Sequence, residues 1–287
     1  MGKPPPLATG ASLNGQTLGG QTLGGQTRGA PVNKHDPHGT GALSGAVLES
    51  LPPGEGHDWL TTYPYQILSW HPKAVLFPNF MTPKECDAII KIAEEGLQRS
   101  QLSLRHGETA EQTANIRTSD GVFVGRDTPD PTGTLKRVER RIADALRVPT
   151  SHFEDYNVLR YKHGQHYYSH MDTWDPKEFG VQETNRMVTV LLYLTDVEKG
   201  GETVLPREGE GNEGFSDYQS CEHGLKVKPR KGYALAFWSL TDAGEIDPHA
   251  LHGGCPVEEG TKWVATKWVR NKPIRGALPD DDDSAQA

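Results

Sequence analysis

The chain has 287 residues, a formal net charge of -8, 34% hydrophobic residues and 12 His. That length holds one large domain or two small ones. The acidic balance argues against a nucleic-acid-binding face, and no stretch approaches the ~20 apolar residues of a membrane span.

The two ends are low in apolar residues. The start, MGKPPPLATG, has no apolar h-region of a secretory signal, and Pro6 stands where a myristoylation signal needs Ser or Thr. Tandem GQTLG units over Gly15–Gly25, followed by an altered copy GQTRG, add too little apolar surface to offset the entropy of ordering. The composition predicts a disordered tail over 1–60, a folded domain over 61–274 and an acidic disordered tail over 275–287.

Within the middle, Ile67–Trp70 and Ala74–Phe77 read as two short strands around His71-Pro72. Thr82 opens a helix, with Pro83 at its first position, Glu85 completing a capping box, and an apolar stripe of Ala88, Ile89, Ile92 and Ala93. A second helix is predicted over Thr134–Leu146, with Val138, Ile142 and Leu146 on one face. Between the two lie the segment Ile116–Val124 and a turn-rich loop, GRDTPDPTG.

From Glu154 onward the pattern is β. Strands are predicted over Asp155–Tyr161, Gln165–Asp172, Met187–Leu194, Thr203–Leu205, Leu225–Val227, Tyr233–Trp238 and Lys262–Arg270. VTVLLYL is nearly continuous in apolar residues and should be buried on both faces, whereas KWVATKWV alternates as a half-buried strand does. Two helices followed by short strands between Gly, Pro and Asp turns give an α+β class with a sandwich or barrel-like core.

Chemistry concentrates in YKHGQHYYSHMD and LHGGCPVEEGTKW. On a strand, His170 and Asp172 would project from one face, and a downstream histidine would complete two imidazoles and a carboxylate, the facial triad of non-haem Fe(II) oxygenases. His249 and His252 both qualify by spacing; His163 and His166 are poor partners. Lys262 begins a buried strand and needs an anion, which a dicarboxylic co-substrate would supply. A zinc hydrolase would use the same three ligands but leave Lys262 unexplained. The three cysteines form no zinc motif, and Cys86 reads as a small buried apolar residue in the first helix.

These two stretches, with NRMVTVLLYLTDVEKGGETVLP between them and SWHPKAVLFPNFMTPKECDAII and IRTSDGVFV upstream, resemble the catalytic domain of the prolyl 4-hydroxylases, the plant and green-algal type, over about residues 67–272. The resemblance implies a double-stranded β-helix (jelly-roll) core with flanking helices packed on one side. It also implies Fe(II), 2-oxoglutarate and O2, with ascorbate as reductant. By residue, it implies that His170, Asp172 and His252 hold iron, with His252 preferred to His249, and that Lys262 pairs the far carboxylate of 2-oxoglutarate. Tyr161 and Thr203 assist Lys262, and Trp268 lines the iron pocket. Arg117, Ser119, Glu154 and Arg186 match substrate contacts, and Cys221 and Cys255 match cysteines that pair.

The implied partner is a proline-rich peptide, which Tyr167, Tyr168 and Trp174 would receive, on an enzyme that works without a partner subunit. The disulfide implies the endoplasmic reticulum and secretory pathway, while the chain as given carries no signal, which leaves the cytoplasm open. Two other functions share these residues. A 2-oxoglutarate oxygenase acting on another target would keep the triad and Lys262 and change the loop over Arg117–Thr132. A non-catalytic binding module would be expected to have lost a ligand, and none is missing.

Overall fold

The computed structural model describes residues 63–102 and 109–274; the predicted tails over 1–60 and 275–287 lie outside the described residues, as do the first two residues of the predicted 61–274 domain. Among the described residues there are fourteen strands: β1 (Gln66–Trp70), β2 (Lys73–Phe77), β3 (Gln98–Arg99), β4 (Asp120–Val124), β5 (Tyr156–Tyr161), β6 (Tyr167–His170), β7 (Arg186–Tyr193), β8 (Lys199–Gly200), β9 (Thr203–Leu205), β10 (Leu225–Val227), β11 (Ala234–Trp238), β12 (His252–Gly254), β13 (Val257–Glu259) and β14 (Lys262–Arg270). The helices are α1 (Pro83–Glu94), α2 (Ala110–Thr113), α3 (Thr134–Leu146) and α4 (Pro176–Phe179). None is long and apolar enough to cross a membrane.

Eight strands make an antiparallel sheet in the order β1-β2-β11-β7-β14-β5-β4-β3, and four make a smaller one, β10-β9-β12-β6. Together they form a double-stranded β-helix core. The large sheet is covered on both faces. On one, α1 and α3 bring Cys86, Ile89, Ala93, Val138 and Ile142 onto Val158, Val190, Leu192 and Ala265. On the other, Leu159, Tyr193, Phe237 and Val264 pack with Leu205 and Val227 of the small sheet.

The capping box of α1 forms as its sequence dictates. Thr82 N–H donates to Glu85 Oε2 at 2.9 Å, and Glu85 N–H donates to Thr82 Oγ1 at 3.3 Å. The same Glu85 carboxylate takes two hydrogen bonds from Arg141 of α3, at 3.0 and 2.9 Å, so one residue caps a helix and ties it to its neighbour. Burial acts to raise the Glu85 pKa, but Arg141 and the Thr82 contacts outweigh it and hold it below the usual carboxylate range.

The alternation in β14 has a different meaning from the one its pattern suggests. The strand is buried on both faces up to Val269. Trp263, Ala265 and Val269 join the helix-side core, while Lys262, Val264, Thr266 and Trp268 face an open cleft. Its period of two separates a packing face from a chemical face, not inside from outside.

Candidate metal centre and ligand cleft

Three ligating side chains converge at the mouth of the roll. His170 and His252 are cross-strand partners in the β6–β12 ladder, which brings their rings to 4.4 Å between centroids. Asp172 arrives by another route. β6 ends at His170, so Asp172 lies in the turn beyond it and not on the same strand face, contrary to the predicted extent of that strand. What aims its carboxylate is Thr189 of β7, whose hydroxyl donates to Asp172 Oδ2 at 2.6 Å. Asp172 Oδ1 then stands 3.6 Å from His170 Nε2, and Oδ2 stands 3.4 Å from His252 Nε2. All three ligand atoms lie within 4.8 Å of one another, and the two carboxylate–imidazole separations of 3.6 and 3.4 Å are ones that a single divalent first-row ion at ~2.1 Å from each ligand can span.

The protonation states suit such an ion. The carbonyls of Tyr168 and Ala250 lie 2.9 and 3.0 Å from the Nδ1 atoms of His170 and His252, which assigns the protons to Nδ1 and leaves both Nε2 lone pairs pointing at Asp172. Burial lowers the His252 pKa to about 4, against the pull of Asp172, so its imidazole is neutral. Burial alone would raise the Asp172 pKa, but His252, His170 and Arg186 hold it well below the carboxylate range. Two imidazoles and a carboxylate on three corners, leaving open positions, form the donor set of non-haem iron. His249 is elsewhere: its Nδ1 lies 3.1 Å from Asp247 Oδ1, beside His71. His163 and His166 contact the backbone carbonyls of Glu258 and of Gly164 and Asn115.

The triad sits in a cleft of about 1290 Å³. At its inner end lies Lys262, 4% exposed, with its ammonium 5.5 and 5.9 Å from the rings of Tyr161 and Tyr193. Among the described residues no carboxylate pairs with it; burial lowers its pKa to about 8, and the more distant Glu202 recovers only part of the shift. A buried ammonium facing an open cleft is a site for an anion. Thr203 lies there too, accepting a hydrogen bond from Tyr193 O–H at 2.8 Å. Tyr193 was not singled out by its sequence, although a hydroxyl inside the apolar run VTVLLYL is a usable signal, because a buried phenol needs a partner. Tyr161 is buried beside Lys262, and burial raises its pKa against the opposing influence of Arg117 and Ser119.

The outer cleft is aromatic and cationic. Arg186 stacks on Trp268 at 3.5 Å and on Trp174 at 4.5 Å, and Arg117 stacks on Tyr167 at 4.9 Å. Arg117 also donates from Nε to Ser119 Oγ at 3.2 Å. Arg117 and Arg186 line the cleft; Ser119 and Glu154 do not, and reach it through those arginines. Glu154 takes Arg186 in a two-bond grip of 2.9 and 2.8 Å and accepts Arg270 Nε at 2.8 Å. Arg270, which sequence reasoning missed, stacks on Trp174 at 4.7 Å. Cys221 and Cys255 form a disulfide, and Cys86 is free and buried, its thiol pushed up to about 11 by burial.

Residues 156–270 match the 2OG-Fe(II) oxygenase superfamily model. From Arabidopsis thaliana, "Probable prolyl 4-hydroxylase 9" is 50% identical over 225 residues, covering 78% of this chain and 77% of that protein. "Prolyl 4-hydroxylase 13" of the same plant is 45% identical over 214 residues, covering 74% and 76%. Among solved structures, a viral collagen prolyl hydroxylase from Paramecium Bursaria Chlorella virus-1, in complex with 2OG, is 25% identical, covering 69% of this chain and 95% of that one with a TM-score of 0.49.

Proposed function

The chain belongs to the prolyl 4-hydroxylase family of 2OG-Fe(II) oxygenases, and from that premise we propose that it hydroxylates C4 of peptidyl proline in proline-rich proteins. The observation that carries this reading is the pairing of the His170, Asp172, His252 donor set with the Lys262 ammonium, which has no ion-pair partner among the described residues, in one cleft. The donor set fits Fe(II), and the ammonium fits the far carboxylate of 2-oxoglutarate. With Fe(II) bound, 2-oxoglutarate and O2 give succinate and CO2, and one oxygen atom is delivered to the proline.

The chain's own residues do the rest. Lys262 holds the co-substrate by charge, with Thr203 fixed by Tyr193 and with Tyr161 beside it. Trp268 closes the iron pocket from β14 and bears Arg186 on its face. Tyr161, Tyr193 and Val264 keep bulk water from the inner end, where Tyr161, Tyr193 and Val264 are all nearly inaccessible. Arg117 and Arg186 receive the peptide, Ser119 and Glu154 position them, and Tyr167, Tyr168 and Trp174 offer it aromatic surface. An extended proline-rich chain comes preorganised for such a surface. The reading includes action as a monomer, with ascorbate as the reductant that keeps the iron reduced. The Cys221–Cys255 disulfide supports residence in the oxidising secretory pathway.

The test is succinate release by the Fe(II)-loaded protein with and without a proline-rich peptide, beside His170→Ala. Peptide-stimulated turnover that is lost in the variant, with one oxygen atom gained by the peptide, is expected. Turnover without peptide modification would reject the substrate and leave an oxygenase acting on another target. Tight 2-oxoglutarate binding without turnover would make the chain a binding module.

A further inference from the structure

Buried polar atoms in proteins find hydrogen-bond partners, and each exception needs a reason. Among the described residues five buried side-chain atoms lack one: Arg160 Nε, Ser169 Oγ, Thr173 Oγ1, Ser239 Oγ and Trp268 Nε1. Three of the five, on Ser169, Thr173 and Trp268, belong to residues that line the same cleft. They come from β6, the turn after Asp172, and β14, so no single local irregularity explains them. A shared external partner does.

The chemistry of these atoms narrows that partner. An indole Nε1–H only donates, and so do the guanidinium groups of Arg117 and Arg186 on the same walls. A threonine hydroxyl donates as readily as it accepts. This part of the cleft therefore asks for a ligand rich in acceptors. An extended polyproline-type segment is such a ligand: it makes no internal hydrogen bonds, so all its carbonyls are free, and its prolines carry no N–H. Resting on the hydroxylase reading, we propose that Thr173 Oγ1, together with Trp268 Nε1, donates hydrogen bonds to backbone carbonyls of the bound peptide, making Thr173 a determinant of selectivity for extended, N–H-poor segments. Thr173 is 6% exposed and its Oγ1 is buried, so the contact forms when the bound peptide draws the hydroxyl to the cleft wall, and it is made in a nearly dry site.

The experiment measures binding of a fluorescent proline-rich peptide to metal-free protein by anisotropy, with 2-oxoglutarate affinity measured in parallel by calorimetry. The proteins are wild type, Thr173→Val, Thr173→Ser and Trp268→Phe. Losing one hydrogen bond and leaving a carbonyl unpaired should weaken peptide binding about five- to tenfold in Thr173→Val. Thr173→Ser should restore it to within about twofold, Trp268→Phe should match the valine variant, and 2-oxoglutarate affinity should not change in the Thr173 variants. Unchanged peptide binding in Thr173→Val would overturn the inference and leave the hydroxyl to an internal water, while the hydroxylase reading stands on wild-type turnover. Equal weakening of both ligands would overturn it too, because the change would then have disturbed the site as a whole. A wild-type protein that turns over 2-oxoglutarate but neither binds nor modifies the peptide would remove the hydroxylase reading itself.

Discussion

Replacing Lys262 by Met should make the protein more stable while abolishing its use of 2-oxoglutarate. Lys262 is buried with no ion-pair partner among the described residues, and burial lowers its pKa from 10.5 to about 8. A depressed lysine pKa means that the unfolded chain binds more protons between those two values. Stability therefore rises with pH across that window, and the penalty is fully present below about pH 8. A lysine pKa lowered that far corresponds to an upper bound of about 3 kcal/mol of unfavourable ammonium burial at pH 7. Methionine follows the same path without the charge. In thermal melts of the metal-free protein, Lys262→Met should raise the midpoint by several degrees, and the gain should shrink as the pH approaches 10. Lys267 supplies the control. It is also buried on β14, and burial lowers its pKa as well, but its ammonium donates to Glu139 at 2.7 Å, so Lys267→Met leaves that carboxylate with only the half-exposed Arg126 at 3.6 Å and should destabilise by about 3 kcal/mol. If Lys262→Met destabilised the metal-free protein as much as Lys267→Met does, the reasoning that Lys262 stands unpaired for a ligand would be refuted.

Other outcomes follow from single contacts. Thr189→Val removes the hydroxyl that orients Asp172, and iron affinity, titrated by competition with a chelator, should fall about tenfold or more with the fold intact. Glu154→Gln leaves two guanidiniums around Trp174 without their counter-charge; it should destabilise by about 2–4 kcal/mol and raise the KM for peptide while leaving that for 2-oxoglutarate unchanged. Cys221→Ser with Cys255→Ser opens a closed loop with a sequence separation of 34, for a loss of about 3–4 kcal/mol in denaturant melts. The segment from Arg207 to Lys226 has no buried residue, and its Tyr218 carbonyl accepts from Ser169 N–H at 2.8 Å. Reduced protein should accordingly bind peptide more weakly before it loses iron.

Local signals carried much of the fold. The capping box at Thr82 and Glu85 placed the start of α1 at Pro83, the apolar spacing placed α3 at Thr134–Leu146, and β9, β10 and β14 have their predicted bounds. The short strands β3, β8, β12 and β13 were not legible, because two or three residues carry no periodicity and owe their conformation to the partner they pair with. β12 is the telling case. His252 converges with His170 and Asp172 because Gly253 and Gly254 pair with β9 and His252 pairs with His170, all of which is tertiary information. On spacing alone, His249 was an equal candidate; only the family resemblance separated them.

The site was legible in a different way from the fold. A strand argument put His170 and Asp172 on one face and reached the right pair, but the chain leaves the strand at His170 and the aim of Asp172 depends on Thr189, seventeen positions downstream. The residues that bear charge were readable because charge inside a core demands a reason, and Lys262 met that test before any contact was known. Its reading as half-buried was the weaker part. β14 carries one lysine on each face: Lys267 is answered by Glu139 from α3, and Lys262 by nothing in the described chain. Sequence shows the same residue twice on one strand, five positions apart. Only the three-dimensional partner distinguishes the lysine that holds the fold together from the one kept for a ligand, and the opposite signs predicted for their methionine variants follow from that difference alone.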